Sequence, residues 1–497
     1  MESMRDPIIL SSIGLYMVFC IAVGVWAMRR TNDTRDFFMA GRHLGILVAG
    51  IAMFSSTMSG FGFVGGPGLV YALGTSSFWI LMTVPFGYAI SDYTVGKRLR
   101  LLAGALDTVS LPDIIALRYN SEAVRGLSAL AIILGVLGYL ATQMLAMATV
   151  LQSILVSSNF WPEASFIACV VISSSVLVFY CVTGGMLASV YTDLIQGSIM
   201  VVAGVMVFIA AFAAVDGGAA EISSIIRADD PEAMGPWGTI GMFACLSWFF
   251  MFAVGQCGQP HIITKAMMIK DVRTYRFMPI ITVLGYSITA LLWVGIGLAM
   301  RALVLSGQHP ELSSPDAAAP EFLQHYANPI LAGIVFAGLF AAIMSTADAF
   351  LNIGAAALTH DIPKSLNRPV NQELHSARIG TIVIAVAAAA FALYSHYANA
   401  RLIALLGVFG WGTFAAALVP TVGIGLNWAR GTAKAACTAI VASLILNFTF
   451  EVFDIALPGG IHGGSVALLA SIILYIVISL ASKPPDLDPK VRAVMSV

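Results

Sequence analysis

Two hydroxyl side chains in a strongly apolar stretch have the spacing to bind a hard cation. Ser345 and Thr346 follow Ala342 by three and four positions, so the three residues share one face of a helix. A hard cation that sheds its water needs several oxygen ligands, which hydroxyls and free carbonyls supply. Carbonyls near Ser55 and Met58, in a glycine-rich stretch, would complete the set. Hydroxyls in such helices also commonly bond the carbonyl four residues back, so this face alone is a weak signal.

Two aspartates in apolar surroundings strengthen the cation hypothesis. Asp348 lies one turn after Ser345, and Asp193 opens another apolar stretch just after Gly184-Gly185. An aspartate inside a membrane span costs about 2.5–3.5 kcal/mol on insertion scales, which makes it a functional candidate. Asp193 could instead cap a helix N-terminus, and Asp348 could have a structural role. Both alternatives stay open.

The composition places these residues in a membrane protein. Hydrophobic residues make up 59% of the 497-residue chain and charged residues 10%, whereas soluble proteins carry roughly 25% charged residues. Apolar stretches of about 20 residues recur along the chain, which is the length of a spanning helix. Alternation of polar and apolar residues is absent, so the spans are predicted to be helices. The six cysteines lie in or beside apolar runs, which predicts no disulfide framework.

About 13 spans are predicted, and the tail after Ser482 is too short for a further domain. The approximate ranges are 8–28, 44–72, 77–96, 124–154, 163–183, 189–215, 239–262, 278–306, 329–357, 378–396, 401–428, 435–453 and 464–482. With the N-terminus outside, the inner loops hold every Lys and Arg, Lys265 included, except Arg5, Arg227, Arg301 and Arg401. The positive-inside rule therefore predicts an outer N-terminus and an inner C-terminus.

Two spans contain residues that interrupt a helix. Glycines and Pro67 crowd 54–68, and Gly255 to Pro260 again combine glycine, glutamine and proline. Irregular backbone at membrane depth is tolerated only where it is buried or lines a cavity. The two breaks are five spans apart, which inverts the second half relative to the first and predicts an inverted-repeat transporter. Close helix packing through glycines is the alternative.

Short motifs with polar, glycine or proline residues occur in and between the predicted spans. They are Asp36-Phe37-Phe38, Gly41-Arg42, Met58-Ser59-Gly60, Gly66-Pro67-Gly68, Arg98-Leu99-Arg100, Leu111-Pro112-Asp113, Arg118-Tyr119, Thr183-Gly184-Gly185, Thr192-Asp193, Gly258-Gln259-Pro260-His261-Ile262, Met344-Ser345-Thr346 and Trp411 nine residues before Pro420. In these motifs, over roughly residues 10 to 430, the sequence resembles the sodium:solute symporter family, and most closely its sodium/proline symporter branch.

The resemblance implies an all-α, leucine-transporter-type fold with two inverted five-helix repeats. The chain then forms one transporter domain over 1–497, with an extra first helix at 8–28, repeats at 44–215 and 239–428, and two extra helices at 435–482. The family's sodium site falls on the carbonyls of Ser55, Met58 and Ala342 and on the hydroxyls of Ser345 and Thr346. Some members use a second site at the aspartate matching Asp193, so a second cation, or a proton on Asp348, is expected.

The resemblance also implies where a solute binds. The candidates are Thr57, Ser59, Gly60, Tyr139, Gln143, Phe252, Gln256, Gln259, Pro260 and Trp411. Thr57, Phe252 and Gln256 stand where proline carriers place an aspartate, a tryptophan and a tyrosine. Without that aspartate, neutral hydrogen-bonding groups face the solute. Proline, a related amino acid and a carboxylate without an amine all stay open.

These features predict a symporter that couples inward sodium flow to uptake of a small organic solute by alternating access. Na⁺ and the solute are the expected ligands, and a bacterial inner membrane is the expected location. A proton-coupled or monocarboxylate/pantothenate-type carrier in the same fold is the alternative, followed by a transporter-like sensor or a channel. The sequence shows no nucleophile–base pair, metal cluster or phosphate loop, so an enzyme is not expected. Neither nucleic acid nor a protein partner is expected.

Overall fold

The chain is helical throughout the part that the structure describes. The computed structural model describes residues 5–106, 108–368, 372–398, 403–453 and 455–496. Within them there is no β-strand, and one isolated backbone bridge pairs Leu44 with Ile269. The predicted all-α class is therefore confirmed. Arg401, which was assigned to the outer side, lies outside the described residues.

The principal helices are numbered in chain order. They are α1 (Arg5–Met28), α2 (Ile46–Thr57), α3 (Gly66–Leu73), α4 (Thr83–Ser91), α5 (Lys97–Leu106), α6 (Leu111–Tyr119), α7 (Glu122–Ser157), α8 (Phe166–Ala213), α9 (Gly218–Asp229), α10 (Met242–Gly255), α11 (Pro260–Ala266), α12 (Met278–Thr289), α13 (Leu291–Leu305), α14 (Ala318–His325), α15 (Pro329–Ala356), α16 (Glu373–Ala398), α17 (Ile403–Leu418), α18 (Ala433–Val452) and α19 (Gly463–Ala481). Short helices at Thr34–Met39, Phe78–Leu81, Ile362–Ser365 and Pro489–Met495 join them.

Many of these helices are long and apolar enough to cross a bilayer. Among the described residues, ten helical stretches meet that criterion, or eleven if the bent pair α10 and α11 is one span. The helix α2, with 12 residues, is too short to count alone. The predicted number of about 13 spans and their orientation remain predictions.

The longest helix, α8, contains a sharp kink at Gly185. Its 48 residues would extend about 72 Å if straight, more than twice the hydrocarbon core of roughly 30 Å. Gly185 has φ 55° and ψ −144°, a conformation that L side chains rarely adopt. A Cβ at this position would lie 2.5 Å from the Phe37 carbonyl oxygen. The kink falls between the predicted spans 163–183 and 189–215, so one assigned helix contains both.

Both predicted helix breaks are present. After Thr57 the backbone leaves the helix at Met58, with ψ 68°, and a π-turn at Phe61–Gly65 leads into α3. After α10, a 3₁₀ turn and the extended residue Gln259 precede Pro260, the first residue of α11. The axes of α10 and α11 differ by 44°. Glycine and proline thus open the backbone of both helices in the middle of the bundle.

The helix α15 runs through the centre of the bundle, in contact with α1, α2, α7 and α8. At one end, called the basic end below, arginines tie neighbouring loops together: Arg42 donates to the Thr108 carbonyl and Arg100 to the Ile269 carbonyl. At the other end, the Trp79 indole donates to the Pro236 carbonyl at 2.8 Å. The residues predicted to bind ions lie between these ends.

Candidate ion and solute sites

A cluster of hydroxyls and carbonyls joins α2 to α15. The Ser345 hydroxyl donates to the Ser55 carbonyl at 2.9 Å, and the Thr346 hydroxyl donates to the Ser56 carbonyl at 2.6 Å. The same hydroxyl oxygens lie 3.0 and 3.3 Å from the Ala342 carbonyl oxygen. All four side chains of Ser55, Ser56, Ser345 and Thr346 are fully buried. We call Ser55, Ser56, Ala342, Ser345 and Thr346 the hydroxyl–carbonyl cluster.

The break after Thr57 explains why these carbonyls are free. In a continuous helix, the Gly60 N–H would bond the Ser56 carbonyl. Here the Gly60 N–H donates to the Gln143 side-chain oxygen at 2.7 Å. The carbonyl that Thr346 contacts is that of Ser56, which the sequence analysis did not name. Met58, where the backbone leaves the helix, remains a predicted ligand.

A lysine ammonium lies beside this cluster. Lys265 Nζ is 2.6 Å from Asp193 Oδ2 and 2.9 Å from the Ala52 carbonyl, and it also bonds the Ser56 hydroxyl. Lys265 and Asp193 are fully buried. The assignment of Lys265 to an inner loop was therefore wrong, because α11 carries this side chain into the bundle. Three acceptors compensate the burial of its charge.

The second aspartate, Asp348, faces α8. Its carboxylate accepts hydrogen bonds from the Ser189 hydroxyl at 2.6 Å and the Tyr180 hydroxyl at 2.9 Å. Across the interface, Asp193 Oδ1 is buried and has no hydrogen-bond partner among the described residues. The structure thus places the two aspartates on adjoining helices, α8 and α15, with one carboxylate oxygen free to take a ligand.

Aromatic rings fill the space between the two helix breaks. The rings are those of Phe61, Tyr139, Phe252, His261, Phe350 and Trp411. Phe252 and Trp411 have ring centroids 5.1 Å apart, and His261 and Phe350 have centroids 4.4 Å apart. The predicted residues Tyr139, Phe252 and Trp411 therefore meet in one place, which we call the aromatic site.

Several polar atoms at the break between α10 and α11, which adjoins the aromatic site, lack hydrogen-bond partners. Both amide atoms of Gln256, the amide oxygen of Gln259 and both ring nitrogens of His261 are buried without a hydrogen bond in the described part of the chain. Because an unsatisfied buried polar group costs about 1–3 kcal/mol, such groups indicate a missing ligand or water. His261 was not among the predicted solute residues. Its position directly after the break at Pro260 was the available signal.

Other predicted solute residues are already hydrogen-bonded within the protein. The Thr57 hydroxyl bonds the Tyr88 hydroxyl and lies 3.2 Å from the Met53 carbonyl. The Ser59 hydroxyl lies 3.4 Å from that of Tyr139. Together with Gln143, which accepts from Gly60, these residues fix the broken backbone, whereas the free polar atoms are those of Gln256, Gln259 and His261.

One protein family accounts for the order of the motifs, the broken helices and the buried clusters. The profile of the sodium:solute symporter family matches residues 37–443. The chain belongs to the sodium:solute symporter family. It is accordingly a multi-pass membrane transporter rather than an enzyme.

Two curated relatives span nearly the whole chain. The osmoregulated proline transporter OpuE of Bacillus subtilis (strain 168) is 28% identical over 488 residues, covering 96% of this chain and 95% of OpuE. The sodium/proline symporter of Staphylococcus aureus (strain JH9) is 27% identical over 506 residues, covering 95% of this chain and 92% of its own.

Solved structures establish the fold of this symporter-family chain. A Na⁺-coupled sialic acid symporter in a substrate-bound outward-open state matches with a TM-score of 0.77 at 20% identity, covering 97% of this chain and 99% of that one. The nucleobase-cation-symport-1 family transporter Mhp1, in a closed conformation, matches with a TM-score of 0.58 at 14% identity, covering 93% and 98%. The predicted leucine-transporter-type fold is therefore confirmed.

Proposed function

We propose that this protein is a secondary active symporter that couples inward sodium flow to uptake of a small organic solute, in a bacterial inner membrane. The observation that carries the proposal is the hydroxyl–carbonyl cluster, where Ser345 and Thr346 of α15 meet the freed carbonyls of α2. Five oxygens of this kind suit a hard monovalent cation.

Sodium at this cluster would link ion binding to the shape of the bundle. The hydroxyl–carbonyl contacts of 2.6 and 2.9 Å are hydrogen bonds, and an ion between the same oxygens needs more room. Its entry separates α2 from α15 slightly and then holds them at the ligand distance. Since a ligand shifts a conformational equilibrium only through its differential affinity, sodium favours the conformation that offers all its ligands at once.

The aromatic site would bind the solute next to the same broken helix. Proline or a related small zwitterion carries acceptor oxygens on its carboxylate and donor hydrogens on its amine. The Gln256 amide nitrogen and His261 supply donors, while the amide oxygens of Gln256 and Gln259 supply acceptors. The rings of Phe252 and Trp411 would cover an apolar ring. A monocarboxylate or pantothenate would use the donors and leave acceptors unpaired.

Lys265 disfavours the predicted second cation at Asp193 and Asp348. Its ammonium already neutralises Asp193, so a second sodium at Asp193 and Asp348 would have to bind through the free Oδ1 of Asp193, close to a positive charge. We therefore propose one coupling sodium. A proton carried by Asp348 is the rival mechanism, because Tyr180 and Ser189 hold that carboxylate in a fully buried position.

The test is uptake of radiolabelled proline into proteoliposomes, with an inward sodium gradient or with potassium in its place. The wild type is compared with Ser345→Ala/Thr346→Ala, which removes both hydroxyls. Uptake that requires sodium and collapses in the double variant supports sodium coupling at the hydroxyl–carbonyl cluster. Thr438→Ala is a matched control, because this half-buried hydroxyl donates to the Lys434 carbonyl on its own helix, away from the hydroxyl–carbonyl cluster.

Three other results would each exclude part of the proposal. Uptake that persists without sodium and follows a proton gradient would replace sodium by a proton. Absence of proline uptake, with sodium-driven uptake of a monocarboxylate or pantothenate, would correct the solute alone. Passive flux that no gradient concentrates would indicate a channel.

A further inference from the structure

A small cavity lies between the aromatic site and the basic end. Pro260 and Thr264 of α11 line one side, Asn352 of α15 another, and Ser110 and Asp361 the side facing the basic end. Its volume of about 20 Å³ holds one water-sized particle, which needs roughly 10–15 Å³. We call it the inner cavity.

Three oxygens among the residues lining the inner cavity lack hydrogen-bond partners within the described chain. They are Thr264 Oγ1, Asn352 Oδ1 and Asp361 Oδ2. The exposed fractions of these residues are 4%, 1% and 0%, so bulk water does not satisfy the oxygens. The other carboxylate oxygen of Asp361 accepts from the Ser110 hydroxyl at 2.6 Å. One hydroxyl, one amide and one carboxylate oxygen therefore remain for a ligand.

An acidic side chain, Asp361, lines the inner cavity, and the charged groups around it mostly contact one another. Arg125 bonds Asp113 and lies 2.6 Å from Glu122, while Lys364 lies 3.2 Å from Asp113. His360 has one ring nitrogen 3.0 Å from Asp113, and its other ring nitrogen bonds Glu373.

Asp113, Glu122 and Glu373 each contact a basic side chain of this group, and Asp361 is a fourth acidic side chain beside them. Burial alone would raise the pKa of Asp113, but the hydrogen bond from His360 and the charges of His360 and Lys364 hold that pKa below its ordinary value. Asp113 is therefore ionised and uses its partners. Arg125 is 3.9 Å from Asp361 Oδ1, beyond hydrogen-bonding distance. Asp361 is therefore the acidic side chain of this group that keeps one oxygen for a ligand.

We propose that the inner cavity is a second sodium site, formed by Thr264, Asn352 and Asp361, where the ion rests between the hydroxyl–carbonyl cluster and the basic end. The inference rests on the proposed sodium coupling. Asn352 lies one turn beyond Asp348 on α15, and its amide donates to the Asp348 carbonyl at 2.9 Å. A monovalent ion fits because one carboxylate and two neutral oxygens balance a single charge, whereas calcium sites use 6–8 oxygens.

The proposal is tested by measuring ²²Na⁺ bound per molecule of the purified full-length protein in detergent. Asp361→Asn keeps the size of the side chain and removes its charge, so it should bind one sodium fewer than the wild type. Asp92→Asn is the control: this buried carboxylate accepts from Tyr275 and Thr282, each at 3.0 Å, and does not line the inner cavity. It should bind as many sodium ions as the wild type.

A second variant keeps the test decisive if Asp361→Asn does not fold. Thr264→Val removes one ligand oxygen with little change in shape, and it should weaken sodium binding at one class of site about tenfold. Sodium binding equal to the wild type in both variants, but lost in Ser345→Ala/Thr346→Ala, would overturn the inner site and leave sodium coupling intact. A wild-type protein that binds no sodium would overturn both.

Discussion

The ammonium of Lys265 is held by acceptors from two helices, the Ala52 carbonyl and Ser56 hydroxyl of α2 and the Asp193 carboxylate of α8. Because Ser56 also offers its carbonyl to Thr346, the Lys265 ammonium lies beside the proposed sodium ligands. That charge neutralises Asp193 and repels a cation in the hydroxyl–carbonyl cluster. The balance of these two effects sets how tightly sodium can bind.

We expect Lys265→Met to lower the free energy of unfolding by about 3–5 kcal/mol, because it leaves Asp193 buried without a partner. SDS titration of the purified protein, followed by tryptophan fluorescence, measures the change. Lys265→Met/Asp193→Asn should lose much less than the sum of the single variants, since neither charge is then left alone. Additive losses would show that the ion pair does not couple the two residues.

Two buried glutamines, Gln256 and Gln143, should differ in whether their substitution affects solute binding or the stability of the fold. Gln256 has no hydrogen bond within the described protein, so Gln256→Leu should change the free energy of unfolding by less than about 1 kcal/mol. It should raise the KM for the transported solute about tenfold or more, through the lost solute contact. Unfolding titrations and initial rates of uptake measure the two effects.

Gln143 is the matched control for Gln256. Because its side-chain oxygen accepts the Gly60 N–H at 2.7 Å, Gln143→Leu should destabilise the protein by about 1–3 kcal/mol. If Gln256→Leu destabilised the protein by as much and left KM unchanged, Gln256 would be structural and the solute would bind elsewhere.

At the scale of elements, broken and kinked helices place the polar groups. The break after Thr57 frees the Ser56 carbonyl, and the break before Pro260 directs His261 towards the rings and Lys265 towards Asp193. The kink at Gly185 lets α8 present Ser189 and Asp193 to α15 and α11. Backbone geometry at a few glycines and prolines therefore decides which side chains meet.

We expect Gly185→Ala to cost about 1–3 kcal/mol, because the positive φ strains an alanine and the Phe37 carbonyl oxygen lies 2.5 Å from the new Cβ. The same substitution at Gly14 in α1 is the control. A Cβ there meets no atom within 4 Å, and alanine favours a helix, so stability should be unchanged or higher. Unfolding midpoints in detergent compare the two, and equal midpoints would contradict a strained kink.

Much of this arrangement of helices and polar groups could be predicted from local sequence patterns. Glycine and proline interrupt a helix wherever they occur in it, so both breaks were predictable, and the spacing of Ala342, Ser345 and Thr346 gave the face of α15. Lys265 was missed because a lysine next to an apolar run also fits a loop, and its partner Asp193 lies 72 positions away. Likewise, Ser110 and Asp361 are 251 positions apart. Contacts at such separations are set by tertiary packing, which no local pattern reports.

For the whole molecule, the ion count decides how far a solute can be concentrated. A tenfold sodium gradient is worth about 1.4 kcal/mol, and 100 mV adds about 2.3 kcal/mol per charge. One sodium per neutral solute therefore sustains roughly 500-fold accumulation, and two would square that ratio. Lys265 already supplies the positive charge at Asp193, so we expect one. The inner cavity lies on the path of the transported ion, so it adds a bound sodium at saturation without raising the number of ions transported per solute.

The coupling ratio can be read from the gradient at which net flux stops. In proteoliposomes with no membrane potential, a tenfold inward sodium gradient should balance an outward solute gradient of about tenfold for one sodium, and of about 100-fold for two. Net movement of labelled solute is followed while the opposing gradient is varied, which makes leak less important than in an accumulation assay. Balance near 100-fold would mean that a second sodium travels with the solute despite the ammonium of Lys265.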